Sequence, residues 1–266
     1  MFKSVILVII AVITLSCSFA FAKEMPTGTI SGKMVGKNGE SMSGGKLLLF
    51  RVDGGPPPSR HKYWRTPDEI ADIDSDGGFN ANVAEGEYYI AAIKRASNGV
   101  IGPPREGDLI YPYSRDDLKS DNREYLVKRN KNTNIGTIAE AICLKEKPED
   151  LHVKITAIEG LIVDLQGVPI SGAMAFAYGT PDLTGKPLFT SARTGKDGKY
   201  SLRLSEGGSY FIKIRNTSVG GHPIDGEIIG VFGNDDPVAV TVKTGQILKH
   251  IDITGKQFDE LLFDKP

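Results

Sequence analysis

The most metal-like feature of the sequence is a run of alternating carboxylates. Asp72, Asp74 and Asp76 are followed by Gly77, as at the start of a calcium loop, where oxygen ligands at alternate positions surround a hard cation. Such a loop also needs a bidentate glutamate at its twelfth position, and that position is Val83. The run therefore indicates a hairpin turn, with weak calcium binding as the alternative. We expect no metal site and no cofactor.

The other reactive side chains lack the spacing that catalysis requires. No histidine pair has H-x-H or H-E-x-x-H spacing, and no G-x-S-x-G motif or Cys/His nucleophile arrangement is present. The histidines are His61, His152, His222 and His250. We therefore predict a protein that is not an enzyme and has no catalytic residues.

One long loop concentrates the side chains that often anchor binding interfaces. Residues 53–67 hold the single tryptophan of the chain among basic and imidazole side chains. Loops on a rigid scaffold frequently carry recognition, and Trp, Tyr and Arg are frequent anchors. The predicted binding residues are Arg60, His61, Tyr63, Trp64 and Arg65. In the alternative interpretation, Trp64 folds back and covers one end of the domain.

The first 22 residues are typical of a secretory signal peptide. Lys3 supplies the positive start, residues 5–15 form an apolar run shorter than a membrane span, and the triplet 20–22 is a small-x-small cleavage site. Lipidation of Cys17 is the weaker alternative. We expect an exported protein, periplasmic or extracellular, with no membrane span in the mature chain.

Composition and cysteine content narrow the class of protein further. A chain of 266 residues has room for about two domains, and its 31 glycines and 15 prolines favour short strands joined by turns. A net charge of -1 argues against a nucleic-acid partner held by a general basic field. Cleavage leaves Cys143 as the one cysteine, interpreted as a small buried hydrophobe, with an intermolecular disulfide as the alternative.

An internal repeat organises the chain. Residues 194–212 read as a tight turn, an alternating strand, a second turn and another alternating strand, and residues 76–90 match this stretch. Upstream, three glycines recur 128 residues apart without a gap: Gly32 and Gly160, Gly39 and Gly167, and Gly44 and Gly172. Recurring glycines indicate turns and close backbone approaches that are needed twice. Alternating strands of this kind bury one face against a second sheet, so we predict two copies of one β-sandwich.

Each copy is predicted to have seven strands. In the first copy they lie near 29–36, 44–51, 69–75, 78–84, 87–95, 123–129 and 134–142. In the second copy they lie near 155–164, 172–179, 188–194, 199–205, 209–216, 237–243 and 247–254. The predicted domains are a signal peptide (1–22), a first sandwich with long loops 53–67 and 97–122 (23–144), a linker (145–152), a second sandwich (153–255) and a tail (256–266).

The order of glycines and aromatic residues in the second copy resembles carboxypeptidase regulatory-like domains, which have a prealbumin-like (transthyretin-like, Ig-like) sandwich. The resemblance is carried by Gly160, Gly167, Pro169, Gly172, Ala173, Asp197, Gly198, Tyr200, Gly207 and Tyr210. The first copy departs from this pattern at residues 42–45. The resemblance implies an all-β fold of two tandem prealbumin-like sandwiches, and such domains commonly serve as non-catalytic modules.

We predict a non-catalytic exported binding or structural module that interacts with a protein partner in a cell-envelope or surface assembly. A carbohydrate-binding module with a polysaccharide partner, which would use loop aromatics, is the alternative. A transthyretin-like hydrolase is more distant, because the chain ends at residues 262–266 without the Tyr-Arg-Gly-Ser motif of the hydroxyisourate hydrolases that it would resemble.

Strand alternation also predicts where the two long loops lie. Loop 53–67 is the second connection and loop 97–122 the fifth, so the two are expected at opposite ends of the first sandwich. Loop 97–122 is expected to face the second sandwich, with Leu109, Ile110 and Tyr111 packed there. Loop 53–67 is expected to project freely from the distal tip, so that Trp64→Ala weakens partner binding but changes stability by no more than about 1 kcal/mol.

Overall fold

The protein was analysed as a computed structural model that describes residues 26–59, 62–97, 102–111, 123–145, 154–217, 221–234 and 236–259. The predicted signal peptide, nearly all of the predicted linker, Arg60 and His61 lie outside the described residues. The described part contains eighteen strands and a single turn of 3₁₀ helix, Val52–Gly54. The all-β prediction is confirmed.

The first eight strands build one sandwich. They are β1 (Thr27–Gly36), β2 (Lys46–Arg51), β3 (Glu69–Asp72), β4 (Gly78–Ala84), β5 (Gly86–Lys94), β6 (Leu109–Tyr111), β7 (Glu124–Val127) and β8 (Asn132–Cys143). One layer has the order β4-β1-β8, and the other has β3-β2-β5 with β6 and β7 both paired to β5. Strand β6 also pairs with β8, which joins the layers along one edge.

The remaining strands repeat this arrangement. They are β9 (Thr156–Val163), β10 (Met174–Tyr178), β11 (Phe189–Thr190), β12 (Lys199–Leu204), β13 (Gly208–Arg215), β14 (Ile228–Val231), β15 (Val240–Val242), β16 (Ile247–Leu248), β17 (Ile253–Thr254) and β18 (Lys256–Gln257). One layer is β12-β9 with β16 and β17 alongside β9, and the other is β11-β10-β13 with β14 and β15 alongside β13. The two copies therefore share one strand order, although the predicted domain limits stay a prediction.

Alternation along the strands places a hydrophobic core between the layers of each copy. On β4 the side chains of Phe79, Ala81 and Val83 are buried and alternate with more exposed neighbours, and β12 repeats the pattern with Tyr200, Leu202 and Leu204. Burying a large apolar side chain contributes roughly 1.5–3 kcal/mol. These two strands pair with β1 and β9, which present isoleucines to the same cores.

The recurring glycine of β1 and β9 marks a close approach, as the repeat predicts. A Cβ on Gly160 would lie 2.1 Å from the carbonyl oxygen of Ile251, so no side chain fits there. The aromatic ring of Tyr200 lies opposite Gly160 in the β12–β9 ladder, and its hydroxyl donates to the Ile251 carbonyl over 2.6 Å. Gly32 lies opposite Phe79 in the same way. In the first copy the Phe79 ring lies in the space beside the glycine, since a Cβ on Gly32 would be 2.8 Å from Phe79 Cζ, whereas in the second copy the backbone of Ile251 occupies that space.

Three parts of the fold differ from the sequence-based expectation. Strands β6, β14 and β18 were not predicted, because each has at most four residues and their burial shows no alternation. The predicted last strand, 247–254, divides into β16 and β17 around a bulge. Residues 109–111 form β6 inside the first sandwich, so the expectation that they pack against the second sandwich is wrong.

Cys143 is another correction. It was interpreted as buried, yet its side chain is exposed, because β8 reaches the edge where it pairs with the short strand β6. The neighbouring Ile142 is 41% exposed for the same reason. Cys143 therefore contributes little to either core.

Candidate functional site

The predicted recognition loop lies folded against the molecule. Strand pairing places its start, after β2, at the end of the first sandwich where β5 begins, whereas the connection from β5 to β6 starts at the opposite end. The loop then turns back: Tyr63, Trp64 and Arg65 are 8%, 5% and 6% exposed. The expectation that Trp64 projects freely from the tip is therefore wrong.

Trp64 is buried because the sheet beneath it is apolar on both faces. All four central residues of β2, Leu47 to Phe50, are buried, so alternate ones face away from the core between the layers. Trp64 covers that outer face. The cluster contains Leu48, Phe50, Trp64, Ala91, Ile93, Ile110 and Leu144. Covering this surface removes it from water, which gives the loop a structural role.

Arg65 holds the folded loop in place. Its Nη1 donates to the Gly55 carbonyl over 2.8 Å, and its Nη2 donates to the Arg51 carbonyl over 2.8 Å and to Asp68 Oδ2 over 2.9 Å. The guanidinium also lies 5.9 Å from the centre of the Phe50 ring. A buried arginine with this set of acceptors is paired rather than available to a ligand.

Tyr63 crosses to the second sandwich. Its ring meets the ring of Phe189 edge-on, with centroids 6.1 Å apart, and it belongs to the hydrophobic core of the second copy. Next to it, Arg65 forms an antiparallel bridge with Phe189, and the Thr66 amide donates to the Leu188 carbonyl over 3.1 Å. The loop thus pairs two of its residues with the open edge at β11, and covering an edge with a loop is a common way to protect it.

The equivalent connection of the second copy completes the junction. Residues 179–188 join β10 to β11, and Leu183 covers the outer face of the second sandwich beside Met174, Phe176 and Tyr178. Lys186 Nζ reaches across to Asp68 Oδ1 over 2.5 Å. Asp68 Oδ2 also accepts from the Arg51 amide over 2.8 Å. The second connection of each copy therefore covers its own sheet and contacts the other copy.

The connection between β5 and β6 also approaches the second sandwich, in part as expected. A Cβ on Gly102 would lie 3.8 Å from the Ser191 carbonyl oxygen. A buried carboxylate, Asp108, holds this connection by accepting from Arg95 Nη1 over 2.7 Å and from the amides of Ala96 and Arg105. The carboxylate fixes both ends of the connection to one point.

The second copy repeats this buried carboxylate as Glu227, directly before β14. Its Oε2 accepts from Arg215 Nη2 over 2.6 Å and from the Ile224 amide over 3.2 Å, while Oε1 accepts from Arg215 Nε and from the hydroxyl of Thr217. Burial alone would raise the pKa of Glu227, but the hydrogen bonds from Arg215 and Thr217 outweigh it and lower the pKa to about 2. The group is ionised at neutral pH and fully paired.

The alternating carboxylates take part in a turn. Asp74 Oδ1 accepts from the Gly78 amide over 2.6 Å, and the Asp74 amide donates to the Gly78 carbonyl over 2.9 Å. Asp72 pairs with Lys46, and Asp76 lies 3.8 Å from Lys33. The three side chains thus have three different partners, which supports the hairpin interpretation. Within the described ranges, no group of three or more His, Cys, Asp or Glu side chains is arranged to hold a metal.

Two open grooves occur at equivalent places on the outer faces of the two copies. The groove of the first copy has a volume of about 410 Å³ and lies over β1, β4 and β8, between Ser31, Asn80 and Asn134. The groove of the second copy has a volume of about 520 Å³ and lies over β9, β12 and residues 249–252. These grooves were not predicted from the sequence. The recurring glycine predicted a close backbone approach, and the bulge opposite it, which forms each groove, is seen in the strand register.

The buried carboxylates of the β5–β6 and β13–β14 connections were also not predicted from the sequence. The available signal was an acidic residue directly before an apolar pair, in Asp108-Leu109-Ile110 and Glu227-Ile228-Ile229. Nothing in that pattern identified Arg95 or Arg215 as the partner.

In the described part of the chain, no helix is long and apolar enough to cross a membrane.

Comparison with known proteins found no matching family model and no matching curated protein. Among solved structures, the chain is similar to the Bacillus anthracis TIE protein (13% identity, 87% of this chain and 34% of that chain, TM-score 0.25). It is also similar to a streptococcal ancillary pilin (15% identity, 88% and 63%, TM-score 0.24). A third similar structure is the minor pilin of Streptococcus agalactiae (12% identity, 87% and 96%, TM-score 0.26).

The chain thus spans about a third of the first of these chains and less than two thirds of the second. Superpositions with TM-scores this low carry no argument about function, and the sandwich assignment rests on the strand order given above. Because no family model matches, membership of the carboxypeptidase regulatory-like family stays a prediction.

Proposed function

We propose that the protein is a non-catalytic, exported structural module that holds two sandwiches in a fixed relative geometry for assembly with a protein partner in the cell envelope or at the cell surface. The loop with the most interface-like composition supports this proposal, because it joins the two sandwiches. Arg60 and His61, next to the exposed Lys62, are the residues of this loop that the proposal keeps as partner contacts.

The observation that carries the proposal is that the buried charged residues are all paired and serve the structure. The buried charged residues in the described ranges are Arg65, Asp108, Arg215 and Glu227. Each is held by hydrogen bonds to backbone groups or to an oppositely charged partner within its own sandwich. Catalytic groups commonly keep a hydrogen-bonding atom without a partner or a pKa near neutrality. The residues named here instead stabilise loops and the junction.

The proposal is tested by loosening the junction without unfolding either sandwich. Lys186→Glu places a carboxylate opposite Asp68, and Tyr63→Ala removes the side chain that enters the second core. NMR relaxation on the mature chain should give one rotational correlation time for both sandwiches, and the double variant should give two shorter ones. Lys196→Glu, at an exposed turn, is the control for the change in charge.

Partner capture then links this geometry to function. The mature chain, used as bait on an envelope fraction, should retain one partner at a fixed stoichiometry, and the double variant should lose it. Arg60→Ala together with His61→Ala should weaken capture without changing the correlation time. Equal capture by the wild type and the double variant would contradict the proposal, and so would substrate turnover that a single histidine substitution abolishes.

A further inference from the structure

The two surface grooves have the same origin in the fold but different linings. In each copy the last strand bulges opposite the recurring glycine, which opens a depression between three strands. In the first copy the outward residue after that glycine is Lys33, which is paired with Asp76, and the remaining lining is mainly amide and hydroxyl groups. In the second copy the equivalent residue is Leu161, so the groove gains an apolar surface.

The bulge of the second copy directs an imidazole toward its groove. His250 lies between β16 and β17 in the left-handed backbone region, at φ 64°, and lines the groove. The bulge of the first copy also contains one residue with left-handed backbone, Gly136 at φ 71°. Glycine suits this conformation best, and bulges commonly redirect a side chain beside a binding site. The fold therefore tolerates glycine at such a bulge, yet the second copy has histidine.

Charges of both signs surround the apolar surface. Lys249 and His250 make no hydrogen bond or ion pair to any described residue, and Lys199 pairs with Asp197 only across an exposed 3.2 Å contact. Among the acidic residues of the lining, Glu159 accepts from the Ser201 hydroxyl over 3.1 Å, and Asp252 Oδ1 accepts from the Leu161 amide over 2.8 Å. In each carboxylate, one oxygen thus accepts a hydrogen bond that orients the group.

We propose that the groove of the second sandwich binds a short zwitterionic peptide that has an apolar side chain. The carboxylate of the peptide meets Lys249 and His250, its ammonium meets Glu159 and Asp252, and its hydrocarbon lies on Leu161. A volume of about 520 Å³ is within the usual range for ligands of this size. The binding is independent of the junction between the sandwiches and therefore of the function proposed above.

The test is a titration of the isotope-labelled mature chain with the dipeptide Leu-Leu, followed by NMR. Saturable shifts should appear in residues 159–161 and 249–252 and not in residues 31–33. N-acetyl-Leu-Leu and Leu-Leu-amide each lack one charge and should bind at least about tenfold more weakly. Equal affinity for all three compounds, or no shift at the groove up to the solubility limit, would overturn the proposal.

Variants locate the site. His250→Gly should reduce the affinity for Leu-Leu while leaving the melting temperature unchanged or higher, since glycine suits the left-handed backbone. Lys249→Gln should reduce the affinity further when combined with it. Lys33→Gln in the first groove is the matched control and should have no effect. If both variants of the second groove bind Leu-Leu like the wild type, the binding lies elsewhere and the assignment is wrong.

Discussion

The two sandwiches share their strand order and differ in the connections between strands. Both have a glycine opposite an aromatic ring, Gly32 with Phe79 and Gly160 with Tyr200, and both have a buried carboxylate before a short strand. The connection after the second strand, in contrast, extends over residues 52–68 in the first copy and 179–188 in the second. The scaffold therefore has the same requirements in both copies, whereas the connections are where one copy can acquire a role that the other lacks.

In the longer connection, residues 52–68, amino-acid composition and position in the fold lead to different conclusions about binding. Trp64 and its neighbours have the composition of an interface, and they do form one, but within the chain. The shorter connection covers its sheet with Leu183 alone. A sheet with two apolar faces must be covered on both, so a large aromatic side chain near it is available for that purpose before any external partner.

The largest expected effect is the loss of Trp64. Trp64→Ala should destabilise the protein by about 3–5 kcal/mol, because it removes a large buried side chain from the outer face of the first sandwich. Leu183→Ala, at the equivalent place in the second copy, should cost about 2–5 kcal/mol. Urea unfolding followed by fluorescence and circular dichroism measures both.

The matched control for Trp64→Ala is Lys62→Ala, in the same loop but exposed, which should change stability by no more than about 0.5 kcal/mol. A change of under 1 kcal/mol for Trp64→Ala would contradict the burial of the loop and return Trp64 to the role of a free recognition residue.

The second effect is a loss of stability of the second sandwich at acid pH. The pKa of Glu227 is lowered to about 2 from its ordinary 4.5, so the ionised group stabilises the folded state above pH 4.5, and this contribution is lost as the pH falls toward 2. A shift of this size corresponds to roughly 3 kcal/mol. The free energy of unfolding of the second sandwich should therefore fall steeply in this range.

Glu227→Gln is the matched variant, because it keeps the shape and removes the titration. It should lower stability at pH 7 and flatten the acid limb, as followed by thermal unfolding at a series of pH values. An unchanged acid limb in Glu227→Gln would show that other carboxylates govern the acid sensitivity.

The third effect concerns the glycine shared by the two copies. Gly160→Ala should destabilise the protein by about 1–3 kcal/mol, because the added carbon would lie 2.1 Å from a backbone oxygen that cannot move without shifting β17. Gly195→Ala is the control, since a Cβ there lies 3.4 Å from the flexible side chain of Asp197. Equal melting temperatures for the two variants would contradict the close approach inferred from the repeat.

Much of the scaffold was predictable because its causes are local. Alternation over Tyr200, Leu202 and Leu204 predicts a half-buried strand, and recurring glycines predict close approaches. The sandwich follows from these signals, whereas the order of the strands within each sheet was not predicted. The short strands β6 and β14 were not predictable in this way, since each is defined by its pairing with a partner that is distant in sequence.

The sites were less predictable because they depend on contacts between distant segments. Lys186 and Asp68 are separated by 118 residues, and nothing local to either indicates the other. The hydrogen bonds from Arg95 to Asp108 and from Arg215 to Glu227 likewise join the two ends of a connection between strands. Residue types near Trp64 predicted a surface for an external partner, whereas in the structure Trp64 covers its own sheet and Tyr63 contacts the second sandwich.

The smallest expected effect is that of calcium on the turn at Asp72–Gly77. Asp74 Oδ1 is already used by the amides of Asp76 and Gly78, and the two other carboxylates face lysines. Binding of the ion to the native state alone would raise the melting temperature with its concentration, so we expect no saturable rise up to about 1 mM calcium by differential scanning calorimetry, where a sensor-type site would be filled. The equivalent turn of the second copy has Gly195 and Lys196 in place of Asp74 and Ser75, which makes it an internal reference. A saturable shift that Asp74→Ala abolishes would show that the first copy uses this turn to bind a cation, a role absent from the second.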